Sequence, residues 1–450
     1  MVSMTGLLWR SCRKGNHMWS TSGTRGVRRT AAALLAISAL ALAGCAGQGG
    51  TNAGGSDRKL TVWIMEGTNP DARPFFDELS TAFRTQTGAT LDVQFVPWAS
   101  AHDKFVTSIA GGTTPDVAEV GTTWTGEFGA AGALVDLAPR VQQAGLSDGL
   151  VKGLTEAGTV GTALYGMPWY AGVRSIVYRT DVFTEAGVTP PTTWDELVTA
   201  GQKIKAARPD LIPFPIAGDN EYGVYPFVWG AGGQIATQNG GAWTSALDSP
   251  QARQGIQFYA DLALKHGLST PAAATWKETD LRDAFTKGQA AMIISGSWTP
   301  KSILESAPEL QGKIGAFPIP GPSGGLAGSF LGGSHLSIFE GSKNQDLAWQ
   351  LVQLMSTGDF AAKWGAESSF FPGTTALLQQ AAQSSDPLVA PFAKQMVEAG
   401  RSVPVTPLYG QVQGKKTIPA MMSAILNGTP VDQATSTAAT EMNKIFAGGA

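Results

Sequence analysis

The chain has 450 residues, 43% of them hydrophobic, and a formal net charge of −3; that length exceeds what one hydrophobic core fills and predicts two or three domains. Its only cysteines, Cys12 and Cys45, exclude a disulfide framework and a multi-cysteine metal site. Six basic residues and no acidic ones precede Cys45, so the remainder of the chain carries 26 basic against 35 acidic residues, a net charge of −9; without a basic cluster there, nucleic-acid binding is disfavoured.

In chain order, the first element is a targeting segment. Arg25, Arg28 and Arg29 precede the apolar run Ala31–Leu42, which is too short for a membrane span and fits a signal-peptide core. It ends in Leu42-Ala43-Gly44-Cys45, which resembles a bacterial lipobox, where the cysteine is lipidated and becomes the mature N-terminus. The expectation is a signal peptide over 1–45 and a flexible Gly-rich tether over 46–57. The competing reading is a buried cysteine in an N-terminal helix.

Beyond the tether, apolar strand-like runs alternate with helical patterns, which predicts an α/β architecture. Leu60–Ile64 reads as a strand. Arg73–Gln86 reads as a helix, with Phe75, Phe76, Leu79, Ala82 and Phe83 on one face. Leu91–Val96 and Pro115–Val120 continue with strands. Trp194–Ala207 is a helix with a capping-box pair, Thr193 and Glu196, and Pro209 beyond its end. Ser249-Pro250 opens another helix, and Asp346–Ser356 a third. Pro/Gly-rich stretches near Gly166–Gly172, Pro318–Gly325 and Gly358 have the look of repeated crossings between two lobes.

Several enzyme signals fail. Gly321-Pro-Ser-Gly-Gly325 matches the G-x-S-x-G pattern but lacks the strand-to-helix context of a nucleophile elbow. His102, His266 and His335 have no ligand-like spacing, so no metal site is expected, and no Walker-type loop is present. No cofactor is expected either.

A set of motifs in fixed order resembles the carbohydrate ABC-importer type of extracellular solute-binding protein, the group containing maltose-binding protein. They are Leu60-Thr-Val-Trp-Ile64, Thr114-Pro-Asp-Val-Ala-Glu-Val-Gly-Thr-Thr-Trp124, Gly166–Phe183, Pro191–Leu197, Gly288–Trp298 and Gly332-Gly-Ser-His-Leu336. Within that family, Trp63–Asp71 and Glu119–Trp124 are most similar to lipoproteins that bind N,N'-diacetylchitobiose. The resemblance implies a two-lobed, periplasmic-binding-protein-like α/β fold with the ligand cleft between the lobes. Lobe 1 would comprise 58–171 and 321–357, and lobe 2 would comprise 172–320 and 358–450.

A sugar presents apolar C–H patches that stack on aromatic rings and hydroxyls that need polar partners, so aromatic platforms with a few polar groups are the expected site. Trp98, Trp124, Trp229 and Trp298 stand beside Gly, Pro, Ser or Thr in loop-like settings, as does Tyr409. Carried over from the family, Glu66 and Thr68 follow the first strand, Trp98 the second, and Thr123 and Trp124 the third. Tyr222, Trp298 and Tyr409 match aromatic platforms, and Tyr170 and Arg174 flank the crossover. The competing readings are core packing for the aromatics, a structural hydrogen bond for Arg174 and a loop cap for Glu66. Where maltose-binding protein carries charged contacts, this chain has Thr123, Trp124 and Trp98, which implies a more aromatic cleft. The expected function is the extracytoplasmic, lipid-anchored sugar-binding component of an importer. It would act as a monomer beside membrane permease subunits and a separate ATPase. The alternative is a secreted glycosidase, which needs a suitably spaced carboxylate pair.

Overall fold

The computed structural model describes residues 58–448; the signal peptide, Cys45 and the tether lie outside them. The first half of this region builds a larger sheet from β1 (Lys59–Glu66), β2 (Thr90–Pro97), β3 (Val117–Gly121) and β4 (Met167–Gly172). The chain then passes through Val173 into β5 (Arg174–Arg179), and β6 (Met292–Gly296) and β7 (Ile314–Phe317) pair on either side of it. It returns with β8 (Gly332–Ile338) and β9 (Phe371–Pro372), giving the larger sheet the order β9-β4-β8-β3-β1-β2. β1 is parallel to both β2 and β3, whereas β8 is antiparallel to β3 and β4. Two α/β lobes result, each with its own sheet.

Period-2 alternation explains β1. Leu60, Val62 and Ile64 pack with Phe75, Phe76, Leu79 and Phe83 of α1 (Arg73–Thr87). The intervening Trp63 and Met65 pack on the other face, with Phe105 of α2 (Trp98–Gly111) and Phe128 of α3 (Thr122–Ala130). A strand buried on both faces shows its whole side-chain set as apolar, as this one does. The first connection, β1–α1–β2, joins parallel neighbours and ends its helix on Gly88, whose φ of 72° is the left-handed stop that glycine adopts without strain.

The smaller sheet lies in a second core built by α4 (Trp194–Ala207), α5 (Glu221–Gly230) and α6 (Pro250–Leu264). α7 (Glu278–Thr286) packs on β6, and α8 (Thr299–Ser306) follows that strand. The α4 start is the expected one: Thr193 Oγ1 accepts from Glu196 N at 3.1 Å. The Glu196 carboxylate reaches Thr192 N (2.7 Å) and Thr192 Oγ1 (2.8 Å), one residue earlier than the box predicts.

Two expected crossings move. Gly321–Gly325 stays with the smaller sheet, where Trp194 Nε1 donates to Pro320 O at 3.0 Å and Gly321 N closes a turn onto Gly325 O at 3.0 Å. The change of sheet falls at Ser329–Gly332, anchored by Ser329 Oγ donating to Arg174 O at 2.8 Å. Nor does the chain leave the larger sheet at Gly358. After α9 (Gln345–Ser356), α10 (Gly358–Ser368) keeps Trp364 stacked on Trp169 at 5.0 Å and against Phe75, so the last passage follows β9. Among the helices beyond it are α11 (Ala390–Ala399), α12 (Tyr409–Gly414), α13 (Thr417–Leu426) and α14 (Val431–Phe446); the last three add Val412, Ile418, Met422 and Met442 to the smaller-sheet lobe.

Candidate functional site

Three chain segments running side by side join the lobes: Gly172 pairs with Gly332, and Ala171 with both Gly333 and Phe371. Side chains there would collide with the neighbouring strand or with the cleft aromatics. A Cβ on Gly172 would lie 2.4 Å from the Trp298 indole, and one on Gly333 would lie 2.1 Å from Tyr170 O. Above these strands opens a cavity of about 290 Å³, walled by both lobes.

The larger-sheet lobe supplies Trp98 and Trp124, whose rings meet at 5.4 Å and 55°. The sequence reads both as loop residues. Both instead sit at or near the first turn of a helix that follows a strand of the parallel pair or its neighbour, which aims them at the cleft. Trp98 is half-buried; Trp124 is buried and its Nε1 has no hydrogen-bond partner among the described residues. Beside them His102 Nε2 lies 3.0 Å from Glu127 Oε2.

Under the floor lies Glu119, 1% exposed. It accepts from Met65 N at 2.8 Å, from Ser334 Oγ at 2.7 Å and from the Tyr170 hydroxyl. Burial pushes its carboxyl up to about 7 against the opposing pull of those donors. Glu119 thereby fixes two groups that face the cavity, Tyr170 and Ser334.

The smaller-sheet lobe supplies Arg174, Tyr222 and Trp298. The Arg174 guanidinium makes two hydrogen bonds to Glu278 Oε2, at 3.0 and 2.7 Å, and lies 3.8 Å from the Tyr222 ring centroid. Phe330 stacks on Tyr222 at 5.0 Å. Trp298 is packed against Phe370 at 4.7 Å, and its Nε1 donates to Thr68 Oγ1 at 2.6 Å, which bridges the lobes. Thr68, Trp98, Thr123, Trp124, Tyr170, Arg174, Tyr222 and Trp298 therefore line one cavity.

Three expected site residues do not line it. Glu66 ends β1 pointing away from the cavity, where its carboxylate pairs with Arg73 at 3.1 Å. Trp229 is buried within α5, 5.3 Å from Tyr225. Tyr409 is fully buried at the start of α12, its hydroxyl 2.6 Å from that of Tyr225. Both aromatics are core residues because the glycines beside them lie at helix ends rather than in loops.

The sequence reading missed Asn220, Glu221 and Gln413, which all line the cavity. Asn220 caps α5, its Oδ1 accepting from Tyr222 N at 3.2 Å. Its Nδ2, Glu221 Oε2 and Gln413 Oε1 are buried without partners among the described residues. Their only signal in the sequence, a polar pair before a helix, is equally that of an ordinary cap. The lining charges nearly balance, Arg174, Lys277 and Lys416 against Asp103, Asp219, Glu221 and Glu278; Arg174 pairs with Glu278, and Lys416 with Asp219 at 2.9 Å. A cavity with aromatic walls, nearly balanced charges and a few unpaired polar atoms suits a neutral, hydroxyl-rich ligand.

Comparisons with known proteins agree with this architecture. The diacetylchitobiose binding protein DasA of Streptomyces coelicolor is 27% identical over 396 residues, covering 86% of this chain and 90% of its own length. A putative binding protein of Brucella abortus is 28% identical over 434 residues, covering 93% and 99%. The crystal structure of an ABC transporter solute-binding protein from Thermotoga lettingae, bound with α-D-tagatose, superposes with a TM-score of 0.78 at 26% identity, covering 86% of this chain and all of that one. The sequence model of the bacterial extracellular solute-binding proteins matches residues 67–359, well over half the chain, and this protein belongs to that family.

Proposed function

We propose that this protein captures a small, neutral oligosaccharide outside the cytoplasm and delivers it to the permease subunits of an ABC importer. The observation that carries this reading is the cavity between the lobes, with indole rings on both walls and positive and negative side chains that nearly balance. Its volume, about 290 Å³, lies at the small end of the range for ligand pockets. Because both lobes contribute, a bound sugar bridges them and shifts the population toward the closed form. Diacetylchitobiose is the first candidate, on the strength of the DasA likeness. Anchoring on the outer face of the cell membrane through lipid on Cys45 completes the proposal.

The deciding experiment is calorimetry of the tether-free protein with N-acetylglucosamine, N,N'-diacetylchitobiose, trehalose, maltose and cellobiose. Saturable binding of at least one is expected; no heat from any of them sinks the reading. For the anchor, Cys45→Ala is expected to move the protein from the membrane fraction to the soluble fraction.

A further inference from the structure

Glu221 occupies the first position of α5, directly after its cap, and is 6% exposed. One carboxylate oxygen, Oε1, accepts from Gln413 Nε2 of α12. The other, Oε2, has no partner at hydrogen-bonding geometry among the described residues, although the nearby Tyr225 hydroxyl, 2.6 Å from that of Tyr409, favours the charged form of the carboxyl. The nearby Arg174 does not serve it, since both of that residue's hydrogen bonds go to Glu278.

The Gln413 amide has a fixed sense. Only its NH2 can donate to a carboxylate, and the same nitrogen reaches the Tyr222 hydroxyl at 3.3 Å. Its Oε1 is consequently a second acceptor facing no protein donor among the described residues. Two acceptor oxygens held at the cavity wall without a protein donor among the described residues are costly until something donates to them.

We propose that Glu221 is a specificity-determining residue, whose unpaired Oε2, beside Gln413 Oε1, accepts hydrogen bonds from adjacent hydroxyl groups of the bound sugar. Asn220 Nδ2 completes the patch as a donor, and Trp124 Nε1 is an unpaired donor on the facing wall. The inference rests on the sugar-binding reading and adds the chemistry that this wall selects. A ligand lacking donors at that end leaves the oxygens unsatisfied and is rejected. Aromatic stacking elsewhere in the cleft is indifferent to such a change.

The competing role for Glu221 is structural: holding α12 onto α5 through Gln413. Glu221→Gln separates the two, because it keeps the size and replaces an acceptor oxygen by a donor. Affinities of wild type and E221Q are measured by calorimetry for N,N'-diacetylchitobiose, maltose and monodeoxy analogues of each. Expected is a loss of ~10-fold or more for the parent sugar that wild type binds. The preference for that sugar over the analogue lacking the contacted hydroxyl is expected to collapse in E221Q and to persist in Trp98→Ala. The melting temperature without sugar should stay near that of wild type. Wild-type affinity in E221Q, or an unchanged preference against every deoxy analogue, overturns the proposal while leaving sugar binding intact. If wild type binds none of the sugars, the sugar-binding reading and this inference fall together. Should E221Q fail to fold, Gln413→Leu removes the neighbouring acceptor, and unchanged discrimination in that variant is equally fatal.

Discussion

Trp98 is the ring best placed to stack on a sugar, since it is half-buried at the cavity wall, whereas Trp298 is packed against Phe370 and bonded to Thr68. Trp98→Ala is therefore expected to weaken sugar binding by about 1–2 kcal/mol, the usual cost of removing an aromatic anchor, with little change in unfolding free energy; calorimetry and urea denaturation check the two halves. A second residue-level prediction concerns protons. His335 is fully buried, its Nε2–H donating to Leu154 O at 2.9 Å while Nδ1 lies 2.8 Å from Thr125 Oγ1. Burial pushes its pKa down to about 4, so the native state keeps it neutral. Between about pH 4 and 6.5 the unfolded chain binds more protons at this position, and stability rises with pH. Glu119 works in the opposite sense. Its native pKa of about 7 lies above the ordinary 4.5, so the native state holds the extra proton and stability falls as pH rises through that window. The two windows overlap between about pH 4.5 and 6.5, where the contributions of His335 and Glu119 oppose each other. Relative to wild type, urea denaturation across pH should show a slope shifted downward in His335→Gln and upward in Glu119→Gln, each by about 1 kcal/mol per pH unit.

At the scale of elements, helix starts carry much of the site. α2 and α3 begin as their strands end at the cleft, so Trp98 and Trp124 are delivered by geometry that a loop would not hold. α5 does the same for Asn220, Glu221 and Tyr222 from the other lobe. Caps keep such starts in register elsewhere too. Thr193→Ala should cost about 1 kcal/mol of stability by removing the bond to Glu196 N. That loss is to be read in chemical denaturation, and sugar affinity should be unchanged because α4 lies outside the cleft. The capping pattern made α4 readable in the sequence, and the apolar periodicity did the same for α1. Trp229 and Tyr409 were misread for the converse reason. A glycine next to an aromatic marks a helix end as often as a loop, and only packing against Tyr225 shows which.

At the scale of the molecule, closure needs the lobes to meet on the side of the cleft formed by α12. There Gly410 and Gly414 bring that helix against Glu127 and His102 of the other lobe, and a Cβ at Gly414 would lie 2.7 Å from the His102 ring. His102 has little room to yield, since it is held by Glu127 and stacked on Phe128 at 5.6 Å. Gly414→Val should therefore prop the lobes apart. Small-angle scattering is expected to show a smaller sugar-induced contraction than in wild type, together with weaker binding. An unchanged contraction would show that this contact does not limit closure.

The sequence alone determined the alternation of strands and helices, the two-lobed family fold and the aromatic stretches around Trp98, Trp124 and Trp298, because periodicity, caps and ordered motifs are local properties of the chain. Tertiary structure decided where the lobes divide, since α10 stays with the larger sheet through Trp364 rather than leaving at Gly358. It also decided that Glu66 faces outward and that Glu221, indistinguishable in sequence from any acidic residue in a first helical turn, ends with an oxygen unpaired among the described residues. Whether a polar atom has a partner depends on residues nearly two hundred positions away, such as Gln413, and no local pattern carries that information.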